Sequence, residues 1–300
     1  APVLSTLPCA AGPAAAGTAT ACSSHTRSIS ATDHASTDTW PGPTGPATIS
    51  STERPRMTLI STVEPVHGFN AHSLAIFLHL VLFVYWLGGD IGVYYSSRFI
   101  LRSDLAPAAR SVAAKIMHVV DMAPRICLVL FLPSGVTLMA LSPFGEGYFP
   151  GWLVALAWVG ALCWLALVIY DYTRGATPLG RVVQRLDLLV RYAMVAALVG
   201  IGLYMIFVTE PFGVQTNPKW LGGKLAAYGL CILGGVLIRW RLRPFGPAFG
   251  RLMTEGSSRE VEQAITRSIR TCLPYVYLIW AMVLVAAFLG VVKPGTTAFG

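Results

Sequence analysis

Charge is what this sequence has least of. Asp, Glu, Lys and Arg make up 12% of its 300 residues against 54% hydrophobic residues, and the mean hydropathy is +0.61. Water-soluble domains carry about 25% charged residues, so a pair of ordinary soluble domains is excluded. Paired cysteines are lacking too. Cys9, Cys22, Cys127, Cys163, Cys231 and Cys272 contain no Cys-x-x-Cys unit, and four of them fall in or beside apolar runs. That spacing argues against a disulfide framework or a zinc site. No P-loop, dinucleotide-binding fingerprint or nucleophile-and-base motif occurs, which removes sequence support for ATPase, dehydrogenase or hydrolase chemistry within the chain. No repeat of fixed period is visible.

Long apolar runs are what the chain has instead. A hydrocarbon core of about 30 Å needs about 20 helical residues at 1.5 Å each. Six segments after residue 70 meet that length: Leu74 to Phe99, Lys115 to Leu141, Trp152 to Tyr172, Leu186 to Thr209, Trp220 to Trp240 and Thr271 to Val292. The expected fold is an all-α polytopic membrane helical bundle with about six transmembrane helices.

The net charge of +8 is distributed by connection. Four Lys or Arg lie in Arg98 to Lys115, four in Arg174 to Arg191 and seven in Arg239 to Arg270, whereas Ser142 to Gly151 has none. Basic residues therefore alternate from one connection to the next. By the positive-inside rule the connections 100–114, 173–185 and 241–270 are cytoplasmic and both ends of the helical domain face outward, as expected in a cell inner (cytoplasmic) membrane. The charge is a topology signal; no nucleic-acid motif accompanies it. The expected partner is the lipid bilayer, and a homo-oligomer is compatible with the sequence.

Residues 1–56 differ in kind: Ala, Ser, Thr, Pro and Gly dominate, with no periodic apolar face. Such a segment buries too little surface to offset its chain entropy, so it is expected to be a disordered or non-native N-terminal extension. The run from Met57 reads as a natural start, and 57–300 as the integral membrane domain. Near the other end, Gly256-Ser257-Ser258 followed by "REVEQAITRSI" predicts a break, a Ser N-cap and a short amphipathic helix at the cytoplasmic surface.

Ionisable residues within spans cost about 2.5 to 3.5 kcal/mol each on insertion scales and face the bundle interior. If helix one runs inward and helix two returns after a turn near residues 104 to 105, residues at equal depth have numbers that sum to about 209. Asp90 is then level with residue 119. Within "HVVDMAPR", His118, Asp121 and Arg125 sit at i, i+3 and i+7, which puts them on one helix face. A cluster of Asp90, His118, Asp121 and Arg125 is expected near the cytoplasmic side, either pinning two helices together or relaying protons or holding a substrate carboxylate. Pro124 is expected to kink helix two and free a carbonyl. His79 falls well outside that cluster, at the level of Met205 and Lys224 counted from the outer ends of their helices. Those three residues form a second candidate site, with a plain helix-to-helix hydrogen bond as the alternative role for His79.

Three stretches resemble a known family. "HLVLFVYW" with His79 and Trp86, followed by "GVYYSSRF" with Gly92 and Arg98, is similar to the first helix of the HemJ-type membrane protoporphyrinogen oxidases. "KWLGGKLAAYGL" resembles that family's Trp-Leu-x-x-Lys-Leu helix at Trp220, Leu221, Lys224 and Leu225. "GVVKPG" resembles its closing run. The wider superfamily includes copper-resistance D-like proteins. The resemblance implies a bundle that binds haem b through His79, with Lys224 and, by motif, Arg98 functionally important. A thioether such as Met205 is a chemically suitable second axial ligand, and Lys224 is suited to a propionate. The chain departs from the family in extra length around Asp90 and in Gly223, where a histidine is common.

The leading expectation is a haem-binding membrane oxidoreductase, oxidising a small or porphyrin-like substrate or passing electrons to quinone or a redox partner protein. Two alternatives belong to other classes. One is a copper or small-solute permease, for which Met117, His118 and Met122 are the soft-ligand hint. The other is a membrane anchor for a soluble dehydrogenase, docked on the Arg239 to Arg270 connection.

Overall fold

The computed structural model describes residues 68–142, 145, 149–213 and 219–295. The expected extension 1–56 and the start at Met57 lie outside the described residues. Every regular element described is helical, and six helical segments are long and apolar enough to cross a membrane. The chain is an all-α, multi-pass membrane protein.

The first helix, α1, runs Ala71–Ile100 and is capped by Asn70, whose side chain accepts from the Ser73 N–H. The second span is broken into α2, Pro107–Val120, and α3, Met122–Ala140, joined at Asp121. Pro124 accounts for the break: it has no N–H for the Val120 carbonyl four residues earlier, and its ring crowds that turn. The remaining spans are α4, Gly151–Arg174, α5, Pro178–Phe207, α6, Lys219–Arg241, and finally α9, Leu273–Val292. Between the last two lie α7, Phe245–Glu255, and α8, Arg259–Arg270.

The amphipathic helix expected at residue 259 is present, with Ser258 accepting from the Val261 N–H. Helix α7 is an additional element that the sequence pattern does not single out, formed despite Pro244, Gly246, Pro247 and Gly250. Ala248 and Leu252 bury one face of it and Gly256, at a φ of 84°, ends it. Helices α7 and α8 close over the basic end of the bundle. Leu252, Val261, Ile265 and Ile269 pack there with Ile100 of α1 in a small separate core. Arg110 of α2 locks this cap: its guanidinium donates to both Glu262 oxygens at 2.6 and 3.0 Å and to the Ile100 carbonyl at 2.8 Å.

Hydrocarbon gives helices no hydrophobic reason to associate, so close backbone approach and polar pairs must do it. Helices α5 and α6 approach so closely at Gly202 and Gly222 that a Cβ on either would fall 2.6 or 2.7 Å from the other's carbonyl oxygen. On the basic side of that contact is a network that sequence reasoning did not find. Asp187 of α5 is 1% exposed and accepts from Trp164 of α4 at 2.9 Å, from Arg191 at 2.9 Å and from Arg239 of α6 at 2.7 Å. Arg239 also reaches Asp171 of α4 at 2.5 Å. Two arginines and two aspartates thus tie three helices together with no uncompensated charge.

Two predictions follow from this architecture. Cysteines placed at Gly151 and Gly250, where an added Cβ meets nothing within 4 Å, should label from opposite sides of the membrane relative to the unsubstituted chain; labelling from one side would overturn the six-span topology. Asp187→Ala strands the buried Arg191 and should cost about 3 to 5 kcal/mol, read as a lower Tm, with Asp171→Ala milder. An unchanged Tm for Asp187→Ala would mean that the network holds nothing together.

Candidate functional site

The level of each residue in the first two spans can be read from their contacts. A Cβ on Gly89 would strike Pro124, one on Gly92 would touch Val120, and His79 bonds to Ser134. These pairs sum to 212 or 213, about one helical turn beyond the sequence expectation of 209. The second span is not one straight return, being broken at Asp121 into α2 and α3.

That shift and the break at Asp121 redraw the inner cluster. Asp90 and Asp121 do come together, in the wall of one cavity of about 110 Å³ shared with Tyr94, Ser97 and Met117. Arg125 belongs through its short ion pair with Asp121. His118 does not belong. It lies before the break and is exposed, stacked on Tyr172 of α4 with ring centroids 4.6 Å apart and planes within 14°. The spacing i, i+3, i+7 fixes one face only if the helix is continuous, and here it is not.

The same geometry disperses the soft-ligand hint. Met117 faces the core under α7 and α8, Met122 packs against the main core, and His118 stacks on α4. Arg98 sits at the rim of the bundle, donating to the Tyr94 hydroxyl at 3.2 Å and lying 5.9 Å from that ring centre. It is absent from the walls of both cavities within the bundle.

The outer site is built around His79. Its residue is 9% exposed, its Nδ1 lies 2.9 Å from Ser134 Oγ, and its ring stacks on Phe131 at 4.0 Å. Ser134 Oγ is also within reach of the Phe131 carbonyl at 3.0 Å; with its proton directed there, Ser134 accepts from the imidazole and Nδ1 carries the proton. Nε2 is then the lone-pair nitrogen, and it is buried without a hydrogen-bond partner among the described residues. Buried polar atoms are satisfied in more than about nine cases in ten, so this one needs an explanation.

His79 lines a cavity of about 80 Å³ whose wall is otherwise apolar apart from Lys224, Tyr228 and Cys231. Tyr228 is spoken for: its hydroxyl donates to the Leu128 carbonyl at 2.5 Å. Lys224 enters beside Gly290, where a Cβ would lie 2.7 Å from Nζ. The absent side chain leaves room for the ammonium head. No carboxylate or other acceptor bonds Lys224 among the described residues. An imidazole with an idle lone pair and an ammonium with no counter-ion thus share one apolar cavity.

Met205 was expected beside His79 and is not there. It is 2% exposed and packs with Trp220 and Leu221 in the α5–α6 contact, its Cβ against Gly222. Equal depth says nothing about which side of α5 it faces. Ser134, Gly135 and Phe131 were missed altogether. They lie in "FLPSG", one helical turn from the level first assigned to His79. Gly135 matters because its missing Cβ would be 3.3 Å from His79 Cε1.

Trp86, 2% exposed, lines the His79 cavity, and Asp90, four residues along α1, lines the other; the two cavities share no lining residue. Comparison with family models, with curated proteins and with solved structures returns no match for this chain.

An ammonium with no counter-ion among the described residues, set in an apolar cavity wall, is a stability cost carried for some other reason. Lys224→Met keeps the length of the side chain and removes the charge, so the purified protein should melt at a higher temperature than the parent. A clear fall in Tm would mean that Lys224 has a stabilising partner and would remove it from the site.

Proposed function

We propose that this chain is a membrane redox protein that holds a b-type haem through His79, with Lys224 set against an anionic edge of the group. The observation that carries the reading is the idle Nε2 of a buried histidine whose other nitrogen is fixed by Ser134. Metal-ligating histidines have this arrangement, because the bond at the second nitrogen sets the tautomer and the ring direction. Haem held in this way supplies a one-electron couple.

The residues fit the group at its iron. Around its ring the space is tighter: about 80 Å³ is free, against roughly 300 Å³ or more in usual small-molecule pockets. Leu132, Val136, Leu138 and Leu225 line the cavity and are only partly buried, so they are the side chains that must turn aside. Phe131 and Gly135 hold the imidazole plane, Tyr228 closes the floor, and Lys224 provides charge. His79 would hold the group at its iron, and Met205 would take no part, since it faces elsewhere. The electron donor, whether porphyrin-like or another small molecule, and the acceptor, quinone or a redox protein, belong to the same proposal.

A second reading is favoured by one observation, the two separate cavities within the bundle. Two chambers at different depths suit a small-solute permease. Copper as the solute has lost its support with the divergence of Met117, His118 and Met122.

The visible spectrum of protein purified with haem supplied, before and after dithionite, tests the first reading. A Soret band and a sharp reduced band are expected. His79→Ala should lose both, His118→Ala and Met205→Leu should retain them, and Ser134→Ala should weaken haem binding by about 10- to 100-fold. A colourless protein, or a His79→Ala variant with the parent spectrum, would sink the haem reading.

A further inference from the structure

The basic end of the molecule carries an open groove of about 1060 Å³, remote from His79 and unused by the redox reading. It lies between the α1–α2 turn, the end of α6 and one face of α8. Arg241, Arg259 and Arg267 line it and are exposed, and none makes an ion pair among the described residues. Their neighbours differ in this respect: Arg102 pairs with Asp104, Arg110 with Glu262 and Arg251 with Glu255.

Two carboxylates face the same groove. Glu262 is consumed, since Arg110 takes both its oxygens and Ser257 donates to one at 2.7 Å. Glu260 alone remains to balance three guanidinium groups, so the lining has an unmet positive charge. The hydroxyls of Ser103 and Thr266 add uncommitted donors to the wall. Guanidinium forks with hydroxyls around them match the oxygens of a phosphate.

The height of the groove identifies the source of that phosphate. Arg241 is the last residue of α6, and Thr271, also in the wall, comes two residues before α9 begins. The apolar stretches of both spanning helices end at this level. Trp240, 59% exposed, stands in the groove wall beside Arg241, as aromatic residues do at the headgroup layer. Phosphates at that height are those of the bilayer itself, and basic pockets between span ends are headgroup sites.

We propose that this groove binds the phosphate of an anionic phospholipid, with Arg241, Arg259 and Arg267 as its charge partners. Because the walls come from the α1–α2 turn, α6 and α8 at once, the lipid fastens the α7–α8 cap to the spanning bundle. The proposal stands independently of the haem reading.

The test is the Tm of the full chain in neutral detergent, titrated with phosphatidylglycerol, with phosphatidylcholine or with inorganic phosphate. Phosphatidylglycerol should raise Tm, less so at high salt, while phosphatidylcholine and inorganic phosphate at equal concentration should not. Arg241→Gln, Arg259→Gln and Arg267→Gln should each weaken phosphatidylglycerol binding about fivefold, the worth of roughly 1 kcal/mol per basic residue. Native mass spectrometry reads the bound lipid directly should any of these variants fold poorly. Arg251→Gln, outside the groove, should bind as the parent does. Equal shifts with phosphatidylcholine, a full shift from inorganic phosphate alone, or undiminished phosphatidylglycerol binding in the three single variants would overturn the proposal.

Discussion

Hydrocarbon does not solvate charge, and almost every feature of this bundle answers to that constraint. Asp187 lies well inside α5 and is tolerated because Trp164, Arg191 and Arg239 surround its carboxylate. Asp121 is tolerated because Arg125 lies one turn along the same helix. Arg98 sits at the rim against the Tyr94 hydroxyl. Each pairing fixes a helix rotation, since a carboxylate that must meet a guanidinium leaves its helix no freedom to turn. Buried pairs of this kind are weak sources of net stability but strong sources of registry.

The exceptions gain their meaning from that rule. His79 Nε2 and Lys224 are the two polar groups of the outer cavity left without a protein partner among the described residues. A chain that satisfies Asp187 three times over has the means to satisfy a lysine. An imidazole nitrogen and an ammonium without partners in one apolar chamber support the proposed ligand-binding role. Glycine serves the same end. Gly135 and Gly290 clear space for the His79 ring and the Lys224 head, whereas Gly202 and Gly222 bring backbones together.

The two ends of the bundle follow different physics. The spanning part packs through small residues and hydrogen bonds, as helices in lipid do. Helices α7 and α8 pack like a soluble domain, with Val261, Ile265 and Ile269 on one face of an otherwise polar helix. Arg110 joins the two regimes. It is 1% exposed although it lies in the first turn of a spanning segment, because the cap covers it and Glu262 neutralises it.

The sequence by itself determined the helical class, the number of spans and the Ser258-capped helix, because span length and apolar content are local properties set by the thickness of a bilayer. It also singled out His79, Lys224, Asp90, Asp121 and Arg125 as residues that had to face inward. The placing of all three basic connections at one end is likewise written in the order of the spans. What tertiary structure alone decided was who meets whom. His118 left its cluster because the helix breaks at Asp121, and a break changes every face after it. Met205 left the His79 site because depth along the membrane normal does not specify rotation about a helix axis. Ser134, Gly135 and the Asp187 network emerged only when α1 met α3 one turn from the assumed level and α4, α5 and α6 closed together. Register between helices is a sum over many small contacts, and no single stretch of sequence carries it.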